Sequence, residues 1–281
     1  MNYFNSFLNC EDCDIDDIPN SKFHHKYRMF FEDWLDESYI SKLVSKYWML
    51  SIFLAIFYLF GIIKLQSFMK KKQPYKLTYI QPLWNGILAI FSFIGLIRIS
   101  EEMFFVLKDE GLLVSICNTF KYNSVSAYWY FYFAVSKIFE LGDTVLLVLK
   151  KKNLIFLHCY HHIVVLIYTW QSGAEQIGAG RWFIWMNFFA HTLMYTYFTI
   201  MSFNYRLIKK YAHYLTCIQI LQMFVGITIS GSVYFIRKYT QYKCKQTYYN
   251  LYFCFTIYLS FALLFVKFFI HSYYTKKVKT N

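Results

Sequence analysis

Charge is scarce in this sequence, and negative charge scarcer still. Only 16% of the 281 residues are Asp, Glu, Lys or Arg, against about 25% in a soluble domain. That leaves too little polar surface to coat a water-soluble globule. From residue 176 onward there is no carboxylate side chain. The three prolines leave little room for hinges, and no Gly/Ser-rich linker, internal repeat or separate soluble domain interrupts the chain. The N-terminus lacks an apolar core ahead of a small-residue cleavage site, so no cleavable signal is expected and the first apolar run would serve as an uncleaved anchor.

What is abundant is apolar and aromatic: 57% of the chain is hydrophobic, with 31 Phe and 27 Tyr. These residues are gathered into runs at about 47–65, 83–100, 128–149, 154–170, 182–203, 211–235 and 251–270. About 20 apolar residues span the hydrocarbon core as a helix. The expected fold is therefore all-α, a polytopic membrane protein with seven transmembrane helices. It divides into an acidic N-terminal segment (1–45), a seven-helix membrane domain (46–272) and a short basic tail (273–281).

The carboxylates that exist are placed unevenly. Nine of the 16 fall in the first 37 residues (Glu11, Asp12, Asp14, Asp16, Asp17, Glu32, Asp33, Asp36, Glu37). Glu101, Glu102, Asp109 and Glu110 lie between the second and third runs, and Glu175 between the fourth and fifth. Only Glu140 and Asp143 lie inside a run, and an intramembrane acid is a functional candidate by default. Basic residues in short loops set orientation. Lys70–Lys72 and Lys76, Lys150–Lys152, Arg206, Lys209 and Lys210, and Lys276, Lys277 and Lys279 follow the odd-numbered runs, which makes that side cytosolic and the N-terminus lumenal. One loop, with Arg237, Lys238, Lys243 and Lys245, dissents. The lysine spacing of Lys277-Val-Lys279-Thr-Asn281 is that of a dilysine retrieval signal to the endoplasmic reticulum. Cys117 and Cys244 fall in the two long loops on the oxidising side and are expected to pair. Cys159, Cys217 and Cys254 read as small core residues, and Cys10 and Cys13 sit in the acidic tail without the partners of a zinc site.

Helical spacing brings residues i, i+3 and i+4 onto one face, and four of the runs carry a polar stripe at that spacing. They are Lys137, Glu140, Asp143 and Thr144; His158, His161 and His162; Asn187, His191, Met194 and Tyr195; and Thr216, Gln219 and Gln222. One such stripe is ordinarily a glue between helices. Four together indicate a shared polar cavity. His24, His25, His213 and His271 lie outside the stripes, and no specific role is expected of them.

The pattern His-x-x-His-His also occurs in membrane di-iron desaturases and hydroxylases, so a metal-dependent lipid oxidase is an alternative. Two irons need about eight imidazole ligands drawn from several boxes. Here only His158, His161, His162 and His191 are well placed, with Glu140 and Asp143 as the nearby acids. That undersupply favours imidazole as base or nucleophile. A seven-helix receptor or transporter with a non-catalytic polar site is a third possibility.

The segments KIFELGDT (137–144), HCYHH (158–162), NFFAHTLMYTYF (187–198) and TCIQILQ (216–222) resemble, in order and spacing, the very-long-chain fatty acid elongases, the ELO family of 3-ketoacyl-CoA synthases. The resemblance covers about residues 81–270. It is stronger to members that extend saturated and monounsaturated chains, because Asn153 stands where elongases of polyunsaturated chains tend to have Gln. It implies condensation of a long-chain acyl-CoA with malonyl-CoA to 3-oxoacyl-CoA, carbon dioxide and CoA, without a metal or other cofactor. It further implies six helices around a substrate tunnel with the first helix outside, the lumenal end being closed beside Cys117–Cys244. By motif position His161 would accept the acyl group, faced by His191 and supported by His158 and His162. Asn187 and Tyr195 would stabilise a developing oxyanion, and Lys137, Glu140, Asp143 and Thr144 would shape a polar neck. Gln219 and Gln222 would contact substrate, and Lys150–Lys152, Lys209, Lys210 and Lys276 would meet the CoA phosphates. The lipid bilayer and the CoA substrates are the expected partners. Other enzymes of the elongation cycle and a second copy of the chain are compatible with the family, and nucleic acid is not an expected partner.

Overall fold

The computed structural model describes residues 21–33, 37–120, 124–203 and 206–275. The acidic residues 11–17, Cys10, Cys13 and the tail lysines Lys276, Lys277 and Lys279 lie outside them. Among the described residues all regular structure is helical. A 3-10 turn (Phe30–Asp33) precedes α1 (Glu37–Tyr47) and α2 (Leu50–Lys70). Next come α3 (Ile80–Phe105), continued by a π turn (Val106–Glu110), α4 (Leu112–Cys117), α5 (Val125–Phe139) and α6 (Leu141–Leu149). The remainder comprises α7 (Phe156–Glu175), α8 (Gly180–Ser202), a 3-10 turn (Arg206–Tyr211), α9 (Ala212–Tyr239) and α10 (Tyr248–Phe269), which ends in a π turn (Ile270–Thr275).

Among the described residues, four stretches are both long and apolar enough to cross a membrane: Leu50–Lys70, Ile80–Glu110, Leu207–Tyr239 and Tyr248–Tyr274. This is a multi-pass membrane protein. α7 and α8, with 20 and 23 residues, are also long enough to span the hydrocarbon core, but carry the histidines and Asn187. The run 128–149, read from sequence as one span, is instead two helices that meet at Glu140. The Glu140 N–H still bonds the Ser136 carbonyl at 2.8 Å, so the chain barely changes course there. Gly142, just beyond, lies under Trp84, and a Cβ at that position would stand 2.6 Å from the indole.

Helix ends follow local chemistry. Ser124 and Thr247 cap α5 and α10 by accepting the Ala127 and Asn250 N–H groups, which otherwise have no intrahelical partner. Pro82 sits in the first turn of α3, where its missing N–H costs nothing. Each helix then buries one face on the next: α3 on α8, α8 on α9, α9 on α10, α10 on α7, α7 on α5 and α5 on α3. α2 lies against α6 and α7. The largest apolar cluster joins α7, α8, α9 and α10 around Met223, Tyr258 and Phe261, and a second joins α3, α5 and α8 around Trp129 and Phe188.

One end of the bundle is stitched shut by loops. Cys117 and Cys244 form a disulfide. Beside it the Lys245 N–H bonds the Cys117 carbonyl at 2.9 Å, and the Gly178 N–H bonds the Lys245 carbonyl at 2.7 Å. Gly178 is required here, because a Cβ would strike the Cys117 carbonyl. Arg181 and Glu102, each with a side chain only 1% exposed, pair at 3.1 Å under these loops. The Arg181 guanidinium also donates to the Ser115, Asn118 and Thr119 carbonyls. Residues 21–33 are strapped onto α3 and α5 nearby. There Glu32 accepts Arg98 Nε and Nη2, Trp129 Nε1 and the Met29 N–H, all at 2.8 Å.

Candidate functional site

The α7 imidazoles and His191 of α8 form a line of rings. His158 and His162 stand edge to face with centroids 4.5 Å apart, His162 and His161 are 5.5 Å apart, and His161 and His191 face each other at 6.4 Å. Helical spacing places the first three on adjoining faces of α7. The packing of α5 between α3 and α7 then brings the Lys137–Glu140 pair beside His191.

That pair is buried, with Lys137 and Glu140 each 3% exposed. Lys137 Nζ donates to Glu140 Oε1 at 2.7 Å and to Asn187 Oδ1 at 2.8 Å. It also rests over the Phe133 ring at 4.1 Å, a cation–π contact that offsets part of the lost hydration. Because an ammonium only donates, Asn187 must present its amide oxygen to Lys137, which leaves its NH2 as the outward group. Glu140 Oε1 lies 3.5 Å from His191 Nδ1. A carboxylate there favours the tautomer with the proton on Nδ1 and a free lone pair on Nε2.

Asp143 and Thr144 turn elsewhere. Asp143 accepts Trp84 Nε1 and the Tyr195 hydroxyl, both at 2.7 Å. Tyr195 has a single O–H, so with that bond made it has no donor left for an oxyanion. Tyr195, one of the two oxyanion donors expected from sequence, is thus engaged with Asp143, and its ring lies 5.4 Å from that of His191. Thr144 bonds Tyr58 and His158 rather than facing the cavity. On α9, Gln222 faces the cavity while the Gln219 amide lies 3.6 Å from Met194 Sδ.

The cavity has a volume of about 60 Å³. His161, Asn187 and Gln222 are its polar residues nearest the cluster, and Val165, Phe183, Ile184, Met223, Ile257 and Phe261 make its walls. It continues toward the stitched end as far as Ser172 and Gly180. From His161 to Ser172 the α7 axis runs about 16 Å at 1.5 Å per residue. At the other end, Lys150 bonds Gln81 and Lys151 donates to the Lys70 carbonyl at 3.2 Å. Burial, with Lys152 nearby, holds the Lys150 ammonium below the usual lysine value.

Sequence reasoning missed Trp84, Tyr58, Arg181 and the Glu32–Arg98 pair. Trp84 and Tyr58 are aromatics among many in apolar runs, and their polar tips carry no periodic signal. The Glu102–Arg181 and Glu32–Arg98 pairs join residues far apart in sequence. Among the described residues, no three His, Cys, Asp or Glu side chains gather in an arrangement that could hold a metal ion.

Known proteins share this sequence over most of its length. "Putative fatty acid elongase 4" of Caenorhabditis elegans is 43% identical over 263 residues, covering 93% of this chain and 90% of that protein. "Very long chain fatty acid elongase 3" of Homo sapiens is 39% identical over 238 residues (84% and 87%), and "Very long chain fatty acid elongase 6" of Homo sapiens 34% over 252 residues (89% and 94%). The GNS1/SUR4 family profile matches residues 43–281, a span that includes every helix of the polar cluster. The chain belongs to the GNS1/SUR4, or ELO, family.

Proposed function

We propose that this protein is the condensing enzyme of fatty acid elongation, a very-long-chain 3-oxoacyl-CoA synthase. The observation that carries the reading is the placing of His161 and Asn187 at one end of a cavity whose walls beyond them are mostly apolar and aromatic. An imidazole nitrogen of His161 attacks the acyl-CoA thioester carbon, the C–S bond breaks, and CoA leaves as the thiol with the proton that the acylated ring gives up. Malonyl-CoA then loses carbon dioxide. The resulting enolate attacks the acyl-imidazole, displacing His161 and forming the new carbon–carbon bond of 3-oxoacyl-CoA. The Asn187 NH2 donates to the oxygen that gains charge, and His191, oriented by Glu140, faces the acyl carrier as its base. His158 and His162 support His161 from the same helix. No metal or other cofactor takes part in this scheme.

The contact order α3, α5, α7, α10, α9, α8 returns to α3, which supports a six-helix barrel around an acyl tunnel with α2 outside it. In this reading the chain crosses the membrane seven times with its basic end in the cytosol, and it resides in the endoplasmic reticulum. The acidic segment 1–45 is then lumenal, and the basic segment 273–281 cytosolic. The remaining enzymes of the cycle are its natural neighbours.

Purified protein, treated with chelator and given radiolabelled malonyl-CoA and a series of acyl-CoAs, should release 3-oxoacyl-CoA. His161→Ala should abolish that product while leaving the protein folded. Absence of product at every chain length, or full turnover by H161A, would overturn the reading.

A further inference from the structure

The helix outside the proposed barrel contributes nothing to the cavity wall, yet one of its side chains reaches the histidine line. Tyr58 of α2 is 6% exposed, and its phenol oxygen lies 2.7 Å from Thr144 Oγ1. The same Thr144 oxygen, fully buried, lies 2.9 Å from His158 Nε2. Three helices, α2, α6 and α7, thus meet in one hydrogen-bonded chain. Each hydroxyl has a single hydrogen. The direction that uses both well runs from the phenol O–H to Thr144 Oγ1, and from the Thr144 O–H to His158 Nε2. In the reverse direction the phenol hydrogen would be left to the Cys159 sulfur, a weak acceptor. The favoured direction puts the His158 proton on Nδ1 and fixes the ring plane. From there His158 stacks edge to face on His162, which adjoins His161.

We propose that Tyr58 is a positioning residue for the condensation. Through Thr144 it sets the tautomer and orientation of His158, and through the ring contacts it holds His162 against His161. The proposal rests on the reading of His161 as the acyl carrier. It gives the outer helix a part in the chemistry, and it gives Thr144 a role toward the histidines instead of toward CoA. Short bonds inside a low-dielectric interior polarise one another, so loss of the far end of the chain is felt at the imidazole.

The test compares Tyr58→Phe, Thr144→Val, Thr144→Ser and the Y58F/T144V double variant in the full chain. Y58F should lower kcat about tenfold, the equivalent of one hydrogen bond, with KM for both substrates and the melting temperature nearly unchanged. T144V should lose at least as much, T144S should restore turnover, and the double variant should be no worse than T144V because the two groups act as one chain. Diethyl pyrocarbonate, read by mass spectrometry, should modify His158 several-fold faster in T144V, where Nε2 no longer accepts a hydrogen bond. A Y58F enzyme with full kcat and a lowered melting temperature would show an interhelical glue and overturn the proposal, as would losses that multiply in the double variant. Were Y58F not to fold, the T144S and T144V pair decides the same question. A wild-type enzyme that made no 3-oxoacyl-CoA would sink the elongase reading, while the labelling rates still report on the chain itself.

Discussion

Asn187 and Tyr195 lie about two turns apart on α8, both polar and both buried, yet their removal should have very different effects. The amide oxygen of Asn187 is held by Lys137 at 2.8 Å, so its NH2 is aimed without reorganisation at the moment charge develops. Removing one such preorganised donor costs about 10²–10³ in kcat, or about 2.7–4 kcal/mol. The Tyr195 hydroxyl already donates to Asp143 at 2.7 Å. Tyr195→Phe deletes that brace, a hydrogen bond whose loss costs about 0.5–1.5 kcal/mol in stability, and turnover should fall by about tenfold or less. Asn187→Asp makes the contrast sharper, since it keeps the size and gives Lys137 a carboxylate but has no N–H to donate. The assay is 3-oxoacyl-CoA formation at saturating acyl-CoA and malonyl-CoA, with folding followed by size-exclusion and melting. If N187D kept more than about a tenth of wild-type kcat, or if Y195F lost as much as N187D, the assignment of the oxyanion donor would be refuted.

Two further outcomes follow from the buried charges near the stitched end. Arg181→Met strands Glu102 in the interior together with three backbone carbonyls, and should cost about 3–5 kcal/mol. Adding Glu102→Gln should recover part of that loss, and equal denaturation midpoints for the single and double variants would refute this source of the cost. The strap 21–33 should loosen in acid. His25 bonds the Arg98 carbonyl through Nε2 at 3.0 Å, and burial pushes its imidazole below the ordinary histidine value. Its contribution is therefore whole above about pH 6.5 and lost as pH falls through that lowered value. Burial alone would raise the Glu32 carboxyl, but Arg98, the Met29 N–H and Trp129 together hold it below the usual range. Its contribution is whole above about pH 4.3 and is lost progressively as pH falls from there through the depressed value. Hydrogen exchange of the strap should rise first below about pH 6.5 and again in strong acid, with Glu32→Gln removing the second step. Protection that stayed constant from neutral pH to strong acid would refute both assignments.

Composition and periodicity were enough to reach an all-helical membrane protein and to single out Lys137, Glu140, His158, His161, His162, Asn187 and His191. Charged and imidazole groups are costly in hydrocarbon, so their presence in apolar runs at spacings of three and four already marks a buried polar face. Periodicity, however, assigns a face without naming the partner across it. Thr144 stands next to Asp143 in sequence, yet one bonds Tyr58 and His158 while the other bonds Trp84 and Tyr195. Those choices depend on how α2, α3 and α8 are rotated against α6, which side-chain packing sets and hydropathy does not encode. The break at Glu140 is equally hard to read from the sequence, because no proline stands there, the nearby Gly142 is explained by the close approach of Trp84, and the Glu140 N–H stays bonded. Local chemistry in the sequence therefore determined which helices hold polar groups. Tertiary packing alone decided that the Tyr195 hydroxyl is committed to Asp143, that the Asn187 amide is free to donate, and that Tyr58 on α2 touches the histidine line.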